Sequence, residues 1–589
     1  MRITKNSILI IPGETIMRET IRIFALLLFV IFATSQNSFL YSEEVEEETE
    51  GDAKPVFNLT VKKFKFKGNT KISHEELYRI TDKFFKTTGA EDTTKEGTSK
   101  GRKFSLDGLK LVTQHITEAY VNKGYALARA YLPVQTIEKG EVEIEIIEGR
   151  IDNFLIQISG TEDENDALSK YYKMLISKYF EPQLSHEVYN SKLIKRGLLL
   201  ARDLPFVSSE DSKLLIKKGD KDSLDLLFKT KYKSPISMSF DANNYGSEMV
   251  SKERFGLSWS AGLPIGGWEA ALRGVMGSNE KIHMGTANLK MPIGNNGHKI
   301  DFTLIRGSYI VGESLAELGM KGNTSIHGVK YSHQCFYQEK FKMNITVGFD
   351  RKRTDSSLYE KTRSIDELDL YGVKAQLEFR DTRFLKHNAL NILTGGFEIG
   401  SVNEKNKLLP SRLEYSKNFQ KFIVSLTRFQ EIDVKGSKPS SLLLMFSGQF
   451  SKNRLLPIEQ SVLGGYGMVR GHKPASMMGD SGYFVSAELN LMPSVITDKK
   501  PFKLNQSWGQ LAQMVLFFDH GGIMNSSPME GEYSSRHLSG YGFGFRYSPK
   551  NAFTLKFDLA FPVDRKKDED NVYTYLFFNW NIPISSIMH

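Results

Sequence analysis

The chain has 589 residues, 40% of them hydrophobic, with a formal net charge of +9 and a single cysteine, Cys335. That length exceeds what one soluble core fills and predicts several domains. One cysteine excludes an internal disulfide and a cysteine-built metal centre. The positive charge is also spread along the chain instead of being gathered with aromatics on one module, which argues against nucleic acid as a partner.

In chain order, Arg18 and Arg22 flank an apolar run from Ile23 to Ala33 that ends on Thr34-Ser35-Gln36. This pattern predicts a secretory signal peptide over 1–35, with Met17 an alternative start. No later window holds the roughly 20 apolar residues of a spanning helix, which leaves an exported soluble protein or a membrane barrel. An acidic stretch, Glu43 to Asp52, predicts an unstructured tether over 36–56.

From residue 57 the pattern becomes β-α-α-β-β. Val61 to Phe66 alternates as a strand, and Gly68-Asn69-Thr70 turns it. Ser73 and Glu76 form a capping box for a first helix. Ser105 caps a second, with Leu109, Val112, Ile116 and Ala119 on one face, and Gly124-Tyr125 ends it. Strands are expected over Ala126 to Pro133 and at Val142, Ile144 and Ile146. The plan repeats over 150–229: a strand at Phe154 to Ile158, helices at Leu168–Tyr179 and Ser185–Arg202, then strands at Leu214–Lys217 and Leu224–Phe228. Two small α+β modules, 57–149 and 150–229, follow from this.

Beyond 230, short alternating segments recur without helical period. Phe553, Leu555, Phe557, Leu559 and Phe561 alternate with polar neighbours such as Asp558. Tyr483, Val485, Ala487 and Leu489 alternate with Ser486 and Glu488. One such strand also suits a soluble sandwich. About sixteen of them, many ending in aromatics, predict a transmembrane barrel over 230–589, with Arg412 to Ile432 reading as one strand or two. Between two of these strands lies a long loop, 452–482, containing Glu459-Gln460, Gly464-Gly465, Val469-Arg470-Gly471-His472 and Gly479-Asp480-Ser481-Gly482. Loops of that length inside a β array are usually functional. Phe517, Asp519 and Gly521 share one strand face, opposite Met514, Leu516 and Phe518, so Asp519 is expected to point into the lumen.

Gly68-Asn69-Thr70, Gly124-Tyr125, Ala128 to Pro133, Glu148-Gly149 and Asp203-Leu204-Pro205 stand where POTRA modules place their turns and strand ends. With the barrel and the loop motifs, the chain resembles the two-partner secretion transporters of the outer membrane, the haemolysin-activator type. The resemblance implies α+β POTRA modules in the periplasm followed by an all-β transmembrane barrel of about 16 antiparallel strands. It implies that the loop folds back into the lumen and that Arg470 pairs with Asp519. The family usually carries Tyr or Phe where this chain has His472, and commonly ends on an aromatic where this chain ends on His589.

The implied partner is a secreted exoprotein of the haemolysin or filamentous-haemagglutinin type, captured unfolded at the modules, with Tyr125, Arg129 and Tyr131 as candidate client contacts. Outer-membrane lipid, and the outer-membrane assembly machinery during biogenesis, are the other partners expected. An assembly factor of the same superfamily, and a passive porin or receptor, are the alternative readings. No cofactor or metal is expected, and no catalysis: Gly479-Asp480-Ser481-Gly482 imitates a nucleophile motif without the rest of a triad.

Overall fold

The computed structural model describes residues 59–582 except 89–101, 161–165, 185–187, 219–222, 264, 360, 383–386, 405–407, 409, 438, 502–504, 550–552 and 564–569. The signal-peptide and tether assignments, and the chain's last residues, lie outside these.

The first module is a three-stranded sheet with two helices. Strand Lys63–Lys67 runs parallel to Glu141–Ile147, which pairs antiparallel with Arg129–Tyr131. Helices His74–Thr88 and Leu106–Lys123 cover the sheet, burying Leu77, Leu109, Val112 and Ile116 on Phe64, Phe66, Val142 and Ile144. The capping signals act as their chemistry dictates: Ser73 Oγ accepts from Glu76 N at 3.3 Å, and Ser105 Oγ from Gly108 N at 3.0 Å. Gly124, at φ 105°, closes the second helix in the left-handed region. Two sequence signals far apart meet here. Glu148 accepts the backbone N–H groups of Thr70 and Lys71, each at 2.9 Å, and the Tyr120 hydroxyl at 2.9 Å, so its carboxylate holds the Gly68-Asn69-Thr70 turn. Burial and that hydrogen bond push the Tyr120 phenol pKa up.

The second module repeats the topology: Arg150–Ser159 parallel to Ser223–Lys231, which is antiparallel to Lys213–Lys218. Two expectations are corrected. The helix expected over 185–202 begins only at Ser191 and runs to Arg202, because Asn190 takes the N-cap and accepts from Lys192 N and Leu193 N. The strand expected over 126–133 is Arg129–Tyr131 alone, since Ala128 N turns back to Tyr125 O at 3.1 Å.

Sixteen antiparallel strands close the barrel, from Ile236–Asn243 round to Tyr573–Ile582. The uncertain stretch is one strand, Asn418–Glu431. The outward rows are apolar and open to lipid: Leu516 and Phe518 are 49% exposed and Phe543 is 47% exposed, whereas Asp519 is 0% exposed. The second module touches one rim. Tyr171 Oη accepts from Gly266 N at 2.7 Å, Arg196 Nη2 donates to Asn296 O at 2.6 Å, and Tyr337 Oη donates to Asp203 Oδ1 at 2.8 Å. Asp203, singled out by the sequence pattern, therefore ties the module to the wall.

Candidate lumen-loop site

The loop leaves strand Ser441–Phe450 and returns at Ser481–Leu491. A single turn, Pro457–Glu459, and a two-stranded ribbon, Ser461–Leu463 with Met477–Gly479, stiffen it. Gly464, Gly465, Gly467 and Gly471 all have φ between 86° and 99°. Glycine reaches that region without the steric cost other residues meet, so the glycines let the tip double back.

The tip carries Arg470, 4% exposed. Its Nε lies 2.6 Å from Asp519 Oδ2 and its Nη2 2.9 Å from Oδ1, a bidentate pair. Nη1 lies 2.7 Å from Glu488 Oε1 and 3.4 Å from Asp558 Oδ2, and the guanidinium carbon sits 3.5 Å from the Phe517 ring centre. Ser486 Oγ donates to Asp519 Oδ1 at 2.7 Å, and Arg546 Nη2 holds Asp558 at 3.0 Å. Gly471 N donates to the Tyr575 hydroxyl at 3.3 Å, and His472 Nε2 lies 2.9 Å from Ser539 O. His472 is fully buried, so it fills the position where the family pattern has an aromatic.

The neck is pinned separately. Asp480, 0% exposed, accepts from Arg412 Nη1 at 2.5 Å, Leu455 N at 2.8 Å and Ser526 N at 2.8 Å. Glu459 bonds Lys352 and Lys421, each at 2.7 Å, on the other arc of wall. Ser481 Oγ donates to Ser451 O at 3.0 Å and accepts from Ser451 N at 2.9 Å, which closes the loop's base. Its hydroxyl is thus spent on the backbone.

Of the sequence-derived site residues, the structure brings Arg470 onto Asp519 and Phe517, and seats Gly471 and His472 on Tyr575 and Ser539 of two later strands; Val469 is buried with Leu463 and Phe484. It does not bring the three client-contact candidates together. Tyr125 packs edgewise on Tyr120, on the core side of the first module, while Arg129 and Tyr131 are exposed and Tyr131 Oη donates to Glu145 at 2.6 Å. Glu488, Asp558, Arg546, Arg412 and the Glu459 partners were missed as members of the site. The alternation had already put Ser486, Glu488 and Asp558 on the inward rows.

Paired α+β modules docked on a sixteen-stranded barrel, with a loop pinned inside it, define a POTRA-bearing outer-membrane transporter. The comparisons agree. The family described as "Haemolysin secretion/activation protein ShlB/FhaC/HecB" matches residues 222–547, and a "POTRA domain, ShlB-type" matches residues 93–149. The chain belongs to this family, the outer-membrane transporters of two-partner secretion, with its modules in the periplasm. It is 22% identical over 492 residues to the heme/hemopexin transporter protein HuxB of Haemophilus influenzae, covering 81% of each chain. To the outer membrane transporter CdiB of Escherichia coli it is 22% identical over 513 residues, covering 82% of this chain and 77% of the other. The solved structure of CdiB from Escherichia coli superposes with a TM-score of 0.71 at 19% identity, over 92% and 93% of the two chains. That of CdiB from Acinetobacter baumannii gives 0.67 at 14% identity, over 98% and 100%.

Proposed function

We propose that the modules capture a secreted partner exoprotein in unfolded form and that the barrel passes it to the cell surface without nucleotide hydrolysis, the loop carrying Arg470 governing the lumen. One observation carries this reading: the loop lies inside the barrel, fixed at its tip by Arg470 and at its neck by Asp480 and Glu459. A diffusion pore has no need of paired modules or of such a loop. In the first module an extended client would add a strand to a sheet edge. Arg129–Tyr131 is one edge, with Tyr125, Arg129 and Tyr131 the candidate contacts. Each edge already has one backbone group held by a side chain: Ala130 N donates to Thr117 Oγ1 at 3.0 Å, and on the other edge, Lys63–Lys67, Phe64 O accepts from Tyr78 Oη at 2.8 Å. Folding of the client outside supplies the direction, since a folded chain cannot return.

The test compares secreted and outer-membrane proteomes of cells carrying the intact protein or Arg470→Ala at equal barrel levels. Loss of one large protein from the medium, with other barrels unchanged, is expected. A general fall in outer-membrane barrels would instead show an assembly factor, and no change in either would remove Arg470 from the mechanism.

A further inference from the structure

The outer face of the barrel carries a groove of about 910 Å³ that neither the lumen nor its loop explains. Register fixes which way its walls face. Tyr575 touches the lumen loop through Gly471, so Asn579 also faces inward, and Asn579 stands beside Asp241, which pairs with Arg273 at 2.7 Å inside the lumen. The intervening row therefore faces the membrane: Leu257, Gly274, Gly285, Arg306, Ser325 and Arg353 stand in successive register.

Gly274 and Gly285 lie directly opposite each other, and a Cβ on either would meet no atom within 4 Å. The paired glycines cut a trough into an otherwise side-chain-covered wall. Its two ends differ in chemistry. On the earlier strands it is lined by Phe240, Phe255, Leu257 and Met276; on the later ones by Asn323, Ser325, Arg306 and Arg353. Barrel strands tilt by about 35–45°, so a row perpendicular to them climbs the wall. The polar end is the upper one: from the module-side ends of their strands, Gly262, Glu269, Ile293, His298, Tyr337 and Phe341, the row stands 5 residues in at Leu257 and Gly274, 8 at Gly285 and Arg306, and 12 at Ser325 and Arg353. Arg353 is held by Asp355 at 3.0 Å and by Glu367 at 3.4 Å. Arg306 is exposed and, among the described residues, no carboxylate pairs with it. A cation on a lipid-facing surface is costly unless an anion meets it.

We propose that this groove binds one phosphorylated lipid of the outer leaflet, an acyl chain lying in the Gly274–Gly285 trough against Phe255 and Leu257, and a headgroup phosphate on Arg306. Apolar below and cationic above is the polarity of a lipid standing in that leaflet. The inference concerns the outer wall and does not depend on how the loop governs the lumen.

The test uses the full-length protein, equilibrated in phosphatidylcholine vesicles with diphosphorylated lipid A as the minor component. Native mass spectrometry then counts phosphorylated lipids retained per chain. The intact protein is expected to retain one. Arg306→Gln and Gly285→Leu should each lower retention about tenfold. Arg351→Gln, whose partner is Asp369 outside the groove, should leave it unchanged. Heat-modifiable gel mobility reports folding, and Arg306→Gln decides the matter if Gly285→Leu fails to fold. Equal retention by Arg306→Gln, no lipid on the intact protein, or full displacement by millimolar inorganic phosphate, which would mark a free-anion site, would each overturn the assignment.

Discussion

Three carboxylates, Glu488, Asp519 and Asp558, surround Arg470, and the other cation bonded within this group is Arg546. Removing one partner from a well-buried pair costs about 3–5 kcal/mol, less where water reaches it. Arg470→Ala leaves three acids facing one guanidinium, whereas Asp519→Asn leaves Arg470 still held by Glu488 and Asp558. Protease cleavage within 464–476 should therefore rise more in Arg470→Ala than in Asp519→Asn, and the double variant Arg470→Ala/Asp519→Ala should recover part of the difference. Arg470→Lys should not restore protection, because an ammonium cannot reproduce the bidentate contact. Equal cleavage in all four would show that the tip is held by packing alone.

A second residue-scale expectation concerns the rim. The Arg454 guanidinium lies 2.6 Å from Glu532, and that hydrogen bond holds the carboxyl down to about 2. A depressed carboxylate pKa contributes stability that is complete above its ordinary value of 4.5 and fades as pH falls towards about 2. Cleavage of the 525–534 hairpin by an acid-active protease should rise between those limits, and Glu532→Gln should abolish the pH dependence. Much at this scale was legible: period-two alternation put Asp519, Ser486, Glu488 and Asp558 on inward rows. Their convergence was not, because strand alternation gives a face but not the register between strands distant in sequence.

At the scale of elements, the loop's approach depends on bare backbone in the wall. A Cβ at Gly540 would collide with the Arg470 carbonyl oxygen, and one at Gly471 would lie 2.9 Å from the Phe561 carbonyl carbon. Gly540→Ala should keep the loop from seating while leaving the barrel assembled, so loop cleavage should match that of Arg470→Ala at unchanged heat-modifiable mobility. Normal loop protection would show that the strand yields instead. Sequence reading placed the long helices and the module plan well, since caps and apolar spacing are local. It overran the ends at 126–133 and 185–202, where a turn hydrogen bond and the Asn190 cap redirect the chain. Asn190 is a local cap signal that the reading passed over, whereas nothing in the local pattern announces the Ala128 turn bond.

Across the whole molecule, the wall is uneven. Among the described residues the ladder between the closing strands runs from Met238 to Asn243, while Phe341–Leu358 pairs along all 18 of its residues. Short ladders open at lower free energy than long ones. Hydrogen exchange should thus be faster in 236–243 and 573–582 than in 341–381, and uniform protection would contradict this. The module-to-barrel architecture was legible because each part has its own period. The tie through Asp203, Tyr337 and Arg196 was not, since nothing in either part's period records which turn meets which helix.

The loop's two moorings stand on different arcs of that wall, Glu459 with Lys352 and Lys421, Arg470 with Asp519. The loop is thus a tie-bar across the barrel, and any change in the barrel's girth must load one mooring or the other. If the tip parts first, the twelve residues from Glu459 to Arg470 swing from the neck as a flap. Fully extended they reach about 36 Å, longer than the roughly 25 Å apolar belt of such a barrel. Release of Arg470 from its three carboxylates would therefore let the flap sweep the whole bore, with the neck's Asp480 and Glu459 acting as the hinge that brings it home.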